Sequence, residues 1–180
     1  MSEAGGRRAV FLDRDGVLVI PEFRDGRSFA PRSLADFKIY PDAADCLRHL
    51  KAAGFALIVV TNQPDVGNGV VAQGVVEEMH RRVAAALPVD DIEVCYHRQD
   101  EQCVCRKPKP GMLLRAAQHH GIDCRRSIMI GDRGSDVAAG KAVGCATILI
   151  DLGDRDGPAQ APDFTVGSLA AATAVALRLV

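Results

Sequence analysis

Ala9-Val10-Phe11-Leu12-Asp13-Arg14-Asp15-Gly16 passes from four apolar residues to two carboxylates and a turn glycine. The apolar run reads as a buried strand, and the acids then leave its C-terminal end, where an open α/β sheet gathers its ligands. In a strand, residues i and i+2 point to the same side, so Asp13 and Asp15 can flank one reacting group. Desolvating two like charges is costly unless a cation or a proton compensates. For an isolated D-x-D-G the alternative is a solvated Asp-Gly turn after an edge strand.

Further apolar runs follow at 55–60, 92–96, 127–130 and 146–150, with helix-like segments between them, the rhythm of a parallel α/β sheet. Pro41 opens a helical segment carrying Ala44, Leu47 and Leu50, and Gly54 closes it. Residues 72–87 carry Val75, Val76, Met79, Val83 and Leu87 at helical spacing and stop at Pro88. Shorter helices are expected over 112–120, 135–143 and 168–178. Residues 19–40 and 151–165 read as long connections, and connections of this length inside a compact chain are often functional. No insertion is long enough for a lid domain, so loops such as 21–32 or another subunit would roof a site.

The chain of 180 residues is 48% hydrophobic and 25% charged, which fits one domain spanning residues 1–180. A net charge of −1 and the lack of a long basic run argue against nucleic acid as a partner. No run of 18 apolar residues occurs, and the short polar arm at the start has too little apolar sequence for a secretory signal. A cytoplasmic protein without membrane contacts is expected, monomeric or a small homo-oligomer.

Six cysteines in such a chain read as metal ligands and buried thiols rather than as disulfides. Cys95-x-His97 and Cys103-x-Cys105 bring three thiolates and an imidazole into eleven residues, directly before Arg106-Lys107. That composition suits a closed tetrahedral structural zinc site, with buried reduced thiols or a redox pair as the alternatives. Zinc would order a loop that has almost no apolar residues of its own. Cys46, Cys124 and Cys145 read as small buried hydrophobes. His49, His80, His119 and His120 read as surface or boundary residues of helices.

Asp13 to Gly16, Thr61-Asn62-Gln63, Arg106-Lys107-Pro108 and Gly131-Asp132 with Asp136 each fall at a strand end or a helix start. In this order and spacing, over about residues 8–150, the chain resembles the haloacid-dehalogenase-like phosphohydrolases. The resemblance implies a Rossmann-like three-layer α/β sandwich with a mainly parallel sheet, a zinc-binding loop and little or no cap domain. It implies Asp13 as a nucleophile that forms an aspartyl-phosphate, and Asp15 as general acid and then general base. Mg²⁺ would be held by Asp13, the carbonyl of Asp15 and Asp132. Asp136 would be a further ligand or a carboxylate behind the ligands, with an acid in the first turn of a helix as the alternative. Thr61 and Lys107 would hold the transferring phosphoryl group. Asn62, Gln63, Arg106, Lys107 and Arg133 would contact substrate.

The cysteine–histidine loop and the Cys-Arg-Lys-Pro run resemble the branch that contains heptose-bisphosphate and histidinol-phosphate phosphatases. Lys107-Pro108-Lys109-Pro110-Gly111-Met112 is closer to the heptose side. The implied substrate is therefore a sugar phosphate ester, the 7-phosphate of a heptose 1,7-bisphosphate, with histidinol phosphate as the alternative. A phosphate-binding protein without catalysis is disfavoured because both aspartates are present. Two positions depart from the pattern. Asn68 stands where the heptose enzymes usually carry arginine, and Arg133 where a lysine is usual. Arg24, Arg27 or Arg32 would have to compensate.

Overall fold

A computed structural model of the chain describes residues 6–153 and 160–179. Its main sheet has six strands, all parallel: β1 (Ala9–Leu12), β4 (Ala56–Asn62), β5 (Asp91–Cys95), β6 (Ile128–Gly131), β7 (Ala146–Ile150) and β8 (Phe164–Val166), in the order β5-β4-β1-β6-β7-β8. The chain builds outward from β1 to β4 and β5, then returns to the other side of β1 for β6, β7 and β8. The reversal puts a crevice beyond the C-terminal end of β1, the expected ligand position in such a sheet.

Alternation along the strands divides the core in two. On one face Val10, Leu12, Leu57, Val59, Ile128 and Ile130 pack against Leu47 and Leu50 of α1 (Ala43–Ala52), Met79 and Val83 of α3 (Gln73–Ala86) and Leu169 of α6 (Leu169–Ala176). On the other, Phe11, Ile58, Val60 and Met129 meet Met112 and Leu113 of α4 (Gly111–His120) and Ala139 of α5 (Gly134–Ala142). The result is a three-layer α/β/α sandwich. All four residues of β1 are fully buried, and each large apolar side chain so buried contributes about 1.5–3 kcal/mol. A one-residue slip of β1 would exchange its two faces, so the position of the aspartates that follow it is fixed by the core.

The expected strands and long helices form with ends within a few residues of the sequence reading, and Gly54, Gly121 and Gly144 end helices with positive φ. Several short elements are additional. The connection 19–40 contains a hairpin, β2 (Glu22–Arg24) with β3 (Arg27–Phe29), turned by Asp25 and Gly26, both at positive φ. Pro64 starts a one-turn helix, α2 (Pro64–Gly67), and the second long connection ends in β8. The polar arm 1–5 and residues 154–159 of that connection lie outside the described residues. Among the described residues no helix is long and apolar enough to cross a membrane.

His80 departs from its expected surface position. It is buried on α3 against Arg14, because the helix face that carries Met79 and Val83 into the core carries it too. Cys46 and Cys145 are buried and Cys124 is half-buried.

Candidate active site

Asp13 and Asp15 follow β1, Thr61 and Asn62 end β4, and Asp132 follows β6. Three neighbouring strands therefore deliver their terminal residues to one place. Asp13, Asp15, Asn62, Gln63, Lys107, Asp132 and Arg133 all line a cavity of about 560 Å³ there, with Arg106 and Arg32 on its wall.

Lys107 is the centre of the charge pattern. Its ammonium is buried, donates to the Val60 carbonyl at 2.7 Å, and pairs with Asp13 Oδ1 at 3.0 Å and Asp136 Oδ1 at 2.6 Å. Burial opposes the charge, but the two carboxylates outweigh it and raise the lysine pKa above its ordinary value. The Lys107 main chain is gripped from the side by Asn62, whose amide donates to the Lys107 carbonyl and accepts from its N–H, both at 3.0 Å. Asn62 thus positions the lysine as well as lining the cavity.

One ammonium does not neutralise three carboxylates. Burial, followed by repulsion from Asp13 and Asp136, pushes the Asp132 pKa well above the usual carboxylate range. Asp136 is pushed up to about 6 by burial and then by repulsion from Asp13. Asp132 Oδ1 is buried without a hydrogen-bond partner among the described residues, and an oxygen from each of Asp13, Asp132 and Asp136 lies within 4.8 Å of the others. Gly16, at φ +82°, keeps this region open: a Cβ there would come within 2.3 Å of Asp132 Oδ2. Unneutralised hard oxygen donors of this kind fit a divalent cation such as Mg²⁺. Asp136 also accepts at 3.0 Å from the Arg133 N–H in a capping box at the start of α5, so it serves the helix terminus and the lysine together.

Asp15 is held differently. Arg14 grips both of its oxygens, and Gln63 donates to Oδ2 at 2.7 Å and to Thr61 Oγ1 at 2.9 Å. Thr61 is buried beneath Gln63 and does not line the cavity. Its hydroxyl accepts from Gln63 and orients that side chain.

The hairpin covers the crevice. The Arg133 guanidinium bonds the carbonyl and hydroxyl of Ser28, and Ser28 Oγ stands 3.4 Å from Asp132 Oδ2. Arg32, just past the hairpin, lines the cavity and pairs with Asp65 of α2 at 2.8 Å. Arg24 pairs instead with Glu22. Asn68 bonds Gln99 at 3.0 Å. Arg106 carries a buried nitrogen, Nη1, without a hydrogen-bond partner among the described residues.

Cys95, His97, Cys103 and Cys105 converge beside the cavity, their ligand atoms within 4.8 Å of one another. Cys95 Sγ lies 3.2 Å from Cys105 Sγ, 3.8 Å from Cys103 Sγ and 3.5 Å from His97 Nδ1. A tetrahedral site with Zn–S near ~2.3 Å has ligand separations of similar size. Burial, with the neighbouring Cys105 thiol, pushes the Cys95 thiol up to about 12, so a set of thiolates here needs a cation. Gly111 closes the loop onto α4, since a Cβ there would meet the Val104 carbonyl at 2.3 Å.

Sequence reasoning missed Arg14, His80 and Ser28 as parts of this neighbourhood. For Ser28 a signal was present: Asp25-Gly26 is a two-residue hairpin turn, which would have brought β3 back over the strand ends.

A sheet with β1 at its centre and carboxylates after two adjacent strands defines the haloacid-dehalogenase-like class. The HAD-hydrolase-like family model matches residues 104–172. Relatives extend the match over most of the chain. A D-glycero-β-D-manno-heptose-1,7-bisphosphate 7-phosphatase of Helicobacter pylori is 35% identical over 74% of this chain and 76% of its own. A D-glycero-α-D-manno-heptose-1,7-bisphosphate 7-phosphatase of Mycobacterium tuberculosis is 33% identical over 88% and 87%. Among solved structures, the D,D-heptose 1,7-bisphosphate phosphatase of B. bronchiseptica, complexed with magnesium and phosphate, superposes with a TM-score of 0.76 at 25% identity, covering 96% of this chain and 99% of that one. The chain belongs to the haloacid-dehalogenase-like phosphatase family.

Proposed function

We propose that residues 1–180 act as one domain that hydrolyses the 7-phosphate of a heptose 1,7-bisphosphate. The chemistry rests on the contact between Lys107 and Asp13 at the floor of a cavity that also holds Asp15. Asp13 attacks phosphorus, the P–O ester bond breaks, and its electron pair goes to the leaving oxygen, which takes a proton from Asp15. Water then attacks the aspartyl-phosphate and Asp15 takes the proton back, releasing phosphate and restoring Asp13. Lys107 offsets negative charge on the transferring group. Magnesium, held by Asp13, Asp132 and the Asp15 carbonyl, would supply the remaining positive charge. Asp136 fixes Lys107 from behind.

The substrate follows from the relatives together with the arginines on the cavity wall. The relatives support the heptose bisphosphate and not histidinol phosphate. Arg106 and Arg32 are suited to a second, distant phosphate, with Arg32 making up for the arginine absent at Asn68. Binding energy from that remote group can be used in the transition state. The bisphosphate is expected to exceed a heptose monophosphate in kcat/KM, and Arg106→Ala or Arg32→Ala to lose about one to two decades with the bisphosphate alone, the worth of ~1.5–3 kcal/mol. Assays with both anomers of the bisphosphate and with histidinol phosphate check this. Faster hydrolysis of histidinol phosphate than of either anomer would refute the substrate assignment.

The metal reading has its own measurement. Millimolar Mg²⁺ is expected to raise the melting temperature by binding the folded state, and Asp132→Asn to remove most of that rise. An equal rise in wild type and variant would exclude Asp132 as a ligand. The zinc reading requires reduced cysteines, which supports a cytoplasmic protein.

A further inference from the structure

Arg14 stands between the two aspartates in sequence, and the reaction as written does not use it. Its side chain is completely buried, a position that a cation occupies only when its donors are matched. Nε lies 3.0 Å from Asp15 Oδ1 and Nη2 lies 2.9 Å from Oδ2, a two-point grip on the carboxylate. Nη1 lies 3.1 Å from His80 Nε2, and Met79 Sδ is 4.0 Å from the same nitrogen. The Phe37 ring supports the guanidinium at 5.9 Å.

Arginine has no acceptor, so the His80 contact is a hydrogen bond only if Nε2 offers a lone pair and the ring proton sits on Nδ1. Burial, with the guanidinium beside it, pushes the His80 pKa down to about 3 and keeps the ring neutral. The far end of the arginine is thereby fixed by α3, and the near end fixes Asp15. A carboxylate has about four lone-pair sites. Arg14 takes one on each oxygen and Gln63 takes a second on Oδ2, which leaves one on Oδ1 for a proton.

We propose that Arg14 and His80 are positioning residues that hold the Asp15 carboxyl so that its proton is delivered from Oδ1 to the leaving oxygen. This rests on the acid–base reading of Asp15. Neither residue lines the cavity. Their effect is confined to the step in which the P–O bond breaks and the leaving oxygen takes the Asp15 proton.

That confinement supplies the test. kcat/KM reports events up to formation of the aspartyl-phosphate, before the shared hydrolytic step. A sugar phosphate needs its leaving oxygen protonated, whereas p-nitrophenyl phosphate releases a stable phenolate that does not. Asp15→Asn is expected to lower kcat/KM for the heptose bisphosphate by roughly 10²–10⁴ and to spare the aryl ester by comparison. His80→Leu should show the same selectivity, with a loss of about ten- to a hundredfold for the sugar ester and little change for the aryl ester. His80→Gln, which keeps an acceptor, should restore most of the loss. Arg14→Lys keeps the charge but not the fork and should behave like His80→Leu, which keeps the test open if that variant does not fold. Should Asp15→Asn be selective while His80→Leu and Arg14→Lys lower both esters equally, or neither, the positioning role is wrong and the acid–base reading stands. Should Asp15→Asn itself lack selectivity, both fall.

Discussion

Asp13→Asn is expected to cut turnover by about four decades or more while the protein melts, without magnesium, at the same temperature as the wild type or a higher one. An amide cannot act as the attacking oxygen anion, so the aspartyl-phosphate route closes. The fold has reason to tolerate the change. Asp13 Oδ1 accepts from the Arg14 N–H at 2.7 Å and lies 3.0 Å from Lys107 Nζ, and an amide oxygen can take both contacts. The substitution also removes a negative charge that pushes the pKa values of Asp132 and Asp136 upward. Activity and stability should therefore move in opposite directions. Steady-state kinetics with thermal melting checks both, and near-native turnover in the variant would remove Asp13 from the nucleophile role.

Cys105→Ala is the second large effect expected. Cys105 is buried and its sulfur stands 3.2 Å from both Cys95 Sγ and His97 Nδ1, so its loss breaks the set at its inner side. Structural zinc contributes on the order of 10 kcal/mol to small metal-dependent folds, and losing one ligand should cost at least about 3 kcal/mol here. For a chain of this size that is a fall of roughly 6–12 °C in Tm. Because Arg106 and Lys107 follow Cys105 directly, activity should fall with stability. Elemental analysis should find about one zinc per wild-type chain and much less in the variant. A wild type that carries no zinc yet melts unchanged after treatment with a chelator would refute the assignment.

The sheet was legible because its strands β1, β4, β6 and β7 are largely apolar runs, the first three of them leading into polar motif residues, the mark of strands buried on both faces. β8 was hidden: Phe164-Thr165-Val166 is a short edge strand whose residues are exposed or half-buried, with no periodic contrast. The hairpin strands Glu-Phe-Arg and Arg-Ser-Phe are three residues each, too short for a pattern, although their Asp-Gly turn was visible. For the candidate site, the expected residues other than Thr61 and Asp136 reach the cavity or the cysteine–histidine cluster, because the motif spacing fixes which strand end each one leaves. The burial of Thr61 and of Arg14 was not legible. Thr61 is covered by Gln63, and Arg14 resembles a solvated spacer between two acids until α3 closes over it with Met79 and His80.

The two ligand clusters differ in when a growing chain can complete them. All four residues of the cysteine–histidine set are present once synthesis has passed Cys105, and they are neighbours along the chain. Asp13 emerges early but meets Asp132 only after β6 has paired with β1, the far side of the sheet's reversal. An incomplete chain can therefore order the loop that carries Lys107 while it remains unable to gather the three carboxylates. On the proposed chemistry the site is therefore assembled last, with the pairing of β6 to β1.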